Sequence, residues 1–341
     1  MPLQLRRLPP HTAVTIDAPA RLHLGFLDPN ASLGRAFGSL GLVIDTQGTR
    51  LEARHAEREQ IGGAVSDADR VRIAHCLARL QAAYGPAPVA IDVTHMPRAH
   101  TGLGSGTQLA LAVGTAFVRL LGHPASSAEL AALLGRGARS GIGILGFDAG
   151  GLLLDGGPAG MHQRGVPPLL ARQPFPDEWR VLLVSDHARE GLHGAEERRA
   201  LASLAPFPQH LAAHLCHLVL MRILPGAAER DFAPFAQGLT ELQQIIGEYF
   251  ASAQGGVFAS PDVERVLRAV AAERAVGLGQ TSWGPTGFAI VASASDAEHA
   301  LSTAREAARA LPHIECTVVT GRNSGAAIRC AGAHARRSDA A

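Results

Sequence analysis

The sequence predicts an α+β fold in two parts, and three observations predict it. A strand pattern over 89–95 runs into a glycine-rich loop and then into an apolar helix that carries no charge before Arg119. A proline-rich stretch over 156–177 then interrupts the chain. Beyond it, strand and helix patterns close in a β-α-β ending over 288–320. No internal repeat is visible. The expected organisation is a phosphate-binding N-terminal domain over 1–175, a C-terminal domain over 176–330 and a disordered tail over 331–341.

Taken in order, residues 12–18 alternate apolar and polar side chains as a strand does, and 21–41, rich in Gly, Asn, Asp and Ser, read as a loop region. Two further strands are expected over 40–45 and 50–57. Between Asp67 and Tyr84, Val71, Ala74, Leu77 and Leu80 have the spacing of a half-buried helix, stopped by Gly85-Pro86. Ser126 with Glu129 forms a capping box that opens a helix to about residue 138. The run from Arg139 to Gly157 is too glycine-rich for a helix and too apolar for a linker, so two short strands facing a ligand are expected. Asp155 within it reads as a turn former. In the second half, a strand over 180–185 precedes helices near 194–204, 209–224, 232–251 and 261–275. A second glycine segment, Gly277 to Gly287, leads into the β-α-β ending.

Composition narrows the function classes. The chain has 341 residues, 47% hydrophobic and 18% charged, with a net charge of +1, which gives no general attraction to nucleic acid or membrane. No apolar run approaches the roughly 20 residues of a membrane helix. Met1 to His11 lacks the apolar stretch of a signal peptide. Cys76, Cys216, Cys316 and Cys330 are scattered without paired spacing, which predicts reduced thiols in a cytoplasmic protein. There is no lysine, so all 31 basic residues are arginine. Lysine Schiff-base chemistry and pyridoxal phosphate anchoring are therefore excluded, and planar guanidinium groups suit phosphate or carboxylate. His210, His214 and His217 share one helix face, the first pair at zinc-ligand spacing, but no carboxylate joins them in a known motif and a solvated face is expected.

The central stretch is Gly102-Leu103-Gly104-Ser105-Gly106-Thr107-Gln108. Its glycines let backbone N–H groups approach a bound group, and the helix N-terminus adds roughly half a positive charge. This reads as a phosphate cradle. It is not a P-loop, since no Lys-Ser/Thr closes it, nor a dinucleotide fingerprint, since the glycines stand too close together.

Three segments in this order resemble the GHMP kinase superfamily: Ala18-Pro-Ala-Arg21, Gly102-Leu-Gly-Ser105 and the glycine-rich run ending in Pro285-Thr286. The resemblance implies a ribosomal-protein-like N-terminal domain, a ferredoxin-like C-terminal domain and phosphates at the second segment. Longer strings narrow it. Arg21-Leu-His-Leu-Gly-Phe-Leu-Asp28, Phe37-Gly-Ser-Leu-Gly-Leu42, Gly102 to Ala110, Arg139-Ser-Gly-Ile-Gly143, Gly191-Leu-His-Gly194, Ser282-Trp-Gly-Pro-Thr286 and Asn323-Ser-Gly-Ala326 together are similar to the β-ribofuranosylaminobenzene 5′-phosphate synthase family. Membership implies a decarboxylating pentosyltransferase of tetrahydromethanopterin biosynthesis. It would join 5-phosphoribosyl 1-diphosphate to 4-aminobenzoate or 4-hydroxybenzoate, releasing diphosphate and CO2, as a homodimer using Mg2+. The alternative on the same scaffold is an ATP-dependent small-molecule kinase. Against it, Gly106 stands where several of those kinases carry a metal-holding serine. That departure leaves the metal ligands unassigned.

Carried onto this chain, the resemblance puts Arg21 at the active site, on a phosphate or the benzoate carboxylate. His23 alternates with Leu22 and Leu24, so it faces away from them, either as a catalytic or as a structural histidine. Asp148 falls near the position of the kinases' catalytic aspartate. Asp28 either orients a ribose hydroxyl or caps the next turn. Arg139 either pairs with a helix end or reaches a phosphate. Ser282, Trp283 and Thr286 are expected to line the pocket, with core packing as the other role open to Trp283.

Overall fold

The computed structural model describes residues 12–159, 165–191 and 194–331. Two long antiparallel strands, β1 (Ala13–Asp28) and β2 (Phe37–His55), form the spine of the first sheet. The loop expected over 21–41 shrinks to 29–36, because Leu22, Leu24 and Phe26 alternate with Arg21, His23 and Gly25 and find a core to enter. The turn formers cluster in the short connection that remains. The strands expected over 40–45 and 50–57 are one strand, with Thr46 at φ +73° where the register against β1 jumps. β4 (Val89–His95) pairs with β2, and β3 (Gln60–Gly63) runs parallel to β4. β5 (Leu152–Asp155) joins the first half of β2, and β6 (Leu169–Gln173) joins β5.

One face of this sheet carries α1 (Asp67–Tyr84) and α2 (Ser105–Leu121). Ile73, Leu77 and Leu80 of α1 meet Leu109, Val113 and Phe117 of α2 over Val14, Ile16, Leu51 and Ile91. Each such side chain contributes about 1.5–3 kcal/mol on burial. α3 (Ser127–Leu133) starts on the Ser126–Glu129 capping box and ends before Gly135 at φ +71°, short of the expected end near 138.

The largest departure is α4 (Ile142–Ala149), a helix where strands are expected. Its glycines serve close packing. A Cβ on Gly146 would lie 2.8 Å from Val43 Cγ2, and one on Gly143 would lie 3.1 Å from Thr107 Cγ2. That proximity, with Ile142, Ile144 and Phe147 buried, outweighs the weak helix propensity of glycine.

The second sheet has the order β10 (Ile314–Val319), β7 (Arg180–Asp186), β9 (Thr286–Val291), β8 (Gly277–Gln280), all antiparallel. With α9 (Pro261–Glu273) and α10 (Ala294–Ala307) on it, this is the ferredoxin-like β-α-β-β-α-β order. Between β7 and α9 lie α5 (Gly194–Ser203), α6 (Gln209–Leu218), α7 (Leu224–Glu229) and α8 (Phe232–Gln254), with a π-helical turn, Val219–Ile223, joining α6 to α7. Leu215, Val219, Ile223, Leu239 and Leu242 from this insertion pack on Leu22 and Leu24 of β1 and so clamp the two halves together.

By length and hydropathy alone, the helical run Gln209–Glu229 could cross a membrane, although no apolar run of that length is expected from the sequence. His210, His214, His217 and Arg222 interrupt it, and Ala212, Leu215, Leu218, Val219, Ile223 and Leu224 belong to the core. The chain's last described strand, β11 (Ala327–Ala331), returns to pair with β1, so residues 327–330 complete the first sheet rather than the second domain. Past Ala331, the expected tail lies outside the described residues.

Candidate active site

The cradle forms where β4 hands the chain to α2. Gly104 is the N-cap of α2 at φ +81°, with no side-chain cap, so the first N–H groups of the helix are left without partners inside it. Gly102 stands at φ +86°, and a Cβ there would lie 2.5 Å from the Thr281 carbonyl oxygen. Across the gap, a Cβ on Gly284 would lie 2.7 Å from Gly102 Cα, and one on Gly191 would lie 2.6 Å from the Trp283 carbonyl oxygen. Three backbone segments thus meet at van der Waals distance, which only glycine permits. Thr281 fastens them: its hydroxyl donates to the Gly102 carbonyl at 2.8 Å and accepts the His23 N–H at 2.9 Å.

Around the cradle is an open cavity of about 430 Å³ whose charged lining is Arg21, Arg72, Arg136 and Glu197. The Arg21 N–H donates to the Leu103 carbonyl at 3.1 Å and its guanidinium donates to the Gly102 carbonyl. Burial lowers Arg21 to about 10, against the opposing pull of Glu197. Arg136 is also lowered by burial, and its Nε is buried without a hydrogen-bond partner. Guanidinium groups withdrawn from water and incompletely paired favour an anion. Two cavity residues, His100 at φ +62° and Ser282 at φ +51°, hold the left-handed backbone that non-glycine residues rarely adopt.

Next to this cavity, and sharing Ser282 and Trp283 with it, lies a narrow slot with about 30 Å³ of free space. Phe26, Ile246, Phe250, Val257 and Trp283 give it apolar walls, and His23, Gln243, Gln254 and Gln280 add polar edges. The rings of Phe250 and Trp283 stand 4.4 Å apart, and those of His23 and Phe26 4.5 Å apart, edge to face. Burial first, then Arg21 and Arg139, lower His23 to about 3, so the imidazole is neutral. The three glutamines hold one another. Gln243 Oε1 accepts the Gln280 N–H at 2.8 Å, and Gln280 Nε2 donates to Gln254 Oε1 at 3.1 Å.

The expected site residues divide in three groups. Arg21, Gly102, Gly104, Ser105, Gly106 and Thr107 line the cationic cavity, His23 lines the slot, and Ser282 and Trp283 form the wall between the two. Leu103 and Gln108 support from behind: Leu103 is buried, and Gln108 Nε2 donates to the Gly143 carbonyl at 2.7 Å, tying α2 to α4. The rest lie elsewhere. Asp148 is exposed on α4 and accepts a hydrogen bond from the Ser127 hydroxyl, because the helix turns it away from the cradle. Asp28 caps its turn, accepting from the Asn30 and Ser32 N–H groups at 3.2 and 2.8 Å. Thr286 is buried at the start of β9, sharing a 3.1 Å hydrogen bond with the Ser185 hydroxyl. Arg139 pairs with neither a helix end nor the cavity floor; both ends of its fork engage the Glu197 carboxylate, which lines the cavity. Asp155 accepts the N–H groups of Gly141 and Gly157, both at 2.8 Å, in the turn-forming role expected.

Arg72, Arg136 and Glu197 are cavity residues that the sequence does not single out. Arg72 belongs to the polar face of an amphipathic helix, Glu197 to a charge run, and Arg136 follows an ordinary helix-ending glycine. Of the histidine face, His214 pairs with Glu241 at 2.7 Å on the surface. Among the described residues, no three His, Cys, Asp or Glu side chains gather as metal ligands.

Comparison with known proteins agrees with this geometry. Residues 71–150 match the GHMP kinases N terminal domain, and residues 223–310 match the GHMP kinases C terminal family. A beta-ribofuranosylphenol 5′-phosphate synthase of Archaeoglobus fulgidus is 33% identical over 290 residues, covering 82% of this chain and 88% of the relative. The protein of that name from Methanothermobacter thermautotrophicus is 29% identical over 300 residues, covering 81% and 88%. Among solved structures, homoserine kinase from Cytophaga hutchinsonii superposes with a TM-score of 0.66 at 16% identity, covering 93% of this chain and 97% of that one. Mevalonate diphosphate decarboxylase from Staphylococcus aureus gives 0.65 at 12% identity, covering 93% and 98%.

Proposed function

The chain belongs to the family of the beta-ribofuranosylphenol 5′-phosphate synthases, on the GHMP kinase fold, and we propose that it transfers a phosphoribosyl group from 5-phosphoribosyl 1-diphosphate to 4-hydroxybenzoate. The observation that carries this reading is the pair of joined cavities: a desolvated guanidinium cluster over a glycine cradle, opening through Ser282 and Trp283 onto an aromatic-lined slot. A kinase site needs the first. A reaction between a polyanion and a flat ring needs both. The relatives' names carry a phenol, which favours the hydroxyl-bearing ring over 4-aminobenzoate as acceptor.

In the reaction, the bond between ribose C1 and the diphosphate oxygen breaks with both electrons leaving on the diphosphate. C1 bonds to the ring carbon that bears the carboxylate. CO2 then departs, and its bonding pair restores the aromatic ring. The chain's contribution is positional and electrostatic. Backbone N–H groups at the start of α2, with Arg21, Arg72 and Arg136, stabilise the charge that grows on the leaving diphosphate. The wall of Ser282 and Trp283 fixes the ring against C1, and burial of the slot keeps water from that carbon. Mg2+ would neutralise further charge on the diphosphate. It usually binds through substrate phosphates and few carboxylates, which fits a cavity offering Glu197 and the Ser105 and Thr107 hydroxyls as its oxygen donors. Unpaired cysteines among the described residues suit a cytoplasmic setting. The homodimer expected from the resemblance would cover Leu220 and Met221, which are 56% and 68% exposed.

The test is one incubation with 5-phosphoribosyl 1-diphosphate, Mg2+ and carboxyl-labelled 4-hydroxybenzoate, with ATP substituted for the donor as a control. Labelled CO2 that requires the ribosyl donor is the expected result. ATP consumption without CO2 would transfer the site to a kinase reaction.

A further inference from the structure

The slot holds one feature that core packing does not account for. His23 is 4% exposed and its Nε2 is buried without a partner, although every other ring and amide around it is engaged in packing or hydrogen bonds. Its ring bonds to its own backbone carbonyl, and since Nε2 is the free nitrogen, Nδ1 is the donor. Nε2 therefore presents a bare lone pair beside Phe26, Phe250 and Trp283, in a slot whose glutamines are engaged with backbone groups and with one another. An unmet acceptor in an apolar slot is destabilising unless a ligand supplies a proton donor.

Position supports the same conclusion. Arg21 and His23 stand two residues apart on the same side of β1, about 6.6 Å along the strand. Arg21 faces the cationic cavity and His23 the slot. A para-substituted ring lying along β1 brings its carboxylate-bearing carbon to the mouth of the cationic cavity and its opposite substituent to His23.

We propose that the slot widens to seat the aromatic acceptor and that His23 Nε2 accepts the hydrogen bond of its para hydroxyl, making His23 the residue that selects a ring with a donor at that position. This rests on the phosphoribosyl-transfer reading for the identity of the ring, but its test needs no turnover. Trp283 lines the slot, so its fluorescence follows ring binding directly.

Equilibrium binding of 4-hydroxybenzoate and of 4-fluorobenzoate, close in size but without a donor, is measured with diphosphate and Mg2+ present to fill the neighbouring cavity. The folded protein should prefer the hydroxyl ring by about tenfold, the value of one good hydrogen bond. His23→Leu should bring the preference within about twofold, while His23→Gln, which keeps an acceptor, should retain most of it. Arg136→Ala should weaken both rings alike and leave the preference intact. Equal binding of the two rings by the wild-type protein, a preference that survives His23→Leu, or no ring binding at all would overturn the proposal. A preserved preference alongside absent CO2 release would leave the slot assignment standing and remove the transferase reading alone.

Discussion

Gly104→Ala tests the cradle with the smallest possible perturbation. The methyl group enters a backbone at φ +81°, a conformation that costs an L-residue about 1–2 kcal/mol. It also lies 3.1 Å from Arg21 Cγ and 3.2 Å from Arg21 Nε. Arg21 is held by its bond to the Gly102 carbonyl and must give way by a few tenths of an ångström. The fold should survive with a drop of a few degrees in Tm. Binding should suffer more, because a displaced guanidinium forfeits a charge-assisted hydrogen bond of about 1.5–3 kcal/mol, roughly 10- to 150-fold in affinity. Calorimetric titration with 5-phosphoribosyl 1-diphosphate and Mg2+ reads that loss. A folded Gly104→Ala protein that binds the donor within twofold of wild type would refute the cradle as the diphosphate site.

Other perturbations follow from the same geometry. Arg136→Met removes a buried guanidinium whose Nε has no partner, so the free protein should melt higher while donor affinity falls about tenfold or more, read by thermal denaturation and titration side by side. Thr281→Val cuts the hydroxyl that ties Gly102 to His23 and should destabilise the fold by about 1–3 kcal/mol in urea unfolding. Asp155→Asn turns one of the two carboxylate oxygens, which separately accept the Gly141 and Gly157 N–H groups, into a donor and should cost a similar amount without touching donor affinity. His23 has a folded pKa of about 3, below its unfolded value of 6.5, so the unfolded chain takes up a proton that the folded chain refuses as pH falls through that window. Its contribution to stability is full above pH 6.5 and is lost below it, about 2 kcal/mol by pH 5, and urea titrations of His23→Gln should lack that component.

The cradle was legible in the sequence because three signals coincide at one place: closely spaced glycines, a preceding strand and a helix without early charge. The β-α-β ending was legible for a similar reason, since its short strands and helix follow one another in the chain. Longer-range features were not. Arg21 to Asp28 reads as loop until the helices of the insertion supply a core for Leu22, Leu24 and Phe26. The glycines of α4 oppose a helix until Val43 and Thr107 are seen pressed against them. Arg72 and Arg136 become a pair of cavity cations only when α1 and the end of α3 converge on α2. Asp148 was placed by analogy with a kinase aspartate, and the orientation of α4 carries it away.

The fate of Asp148 bears on how one scaffold can serve two chemistries. Phosphoryl transfer to a hydroxyl needs a group that positions or deprotonates that hydroxyl, and a carboxylate over the cradle suits the task. Glycosyl transfer to a ring carbon needs no such group at the cradle, since the nucleophilic electrons come from the ring itself. What it needs is a dry surface that holds the ring in register with ribose C1. In this chain Asp148 lies outside the cavity lining, the cavity's carboxylate, Glu197, is engaged by Arg139, and the neighbouring slot is walled by Phe250 and Trp283, with neutral His23 and three glutamines as its polar groups. The glycine contacts among Gly102, Gly191 and Gly284 bring the two halves close enough for cavity and slot to share a wall. On the proposed reading, the difference between the two reactions lies at that wall, where Ser282 and Trp283 face both compartments, while a cradle for phosphates would serve either.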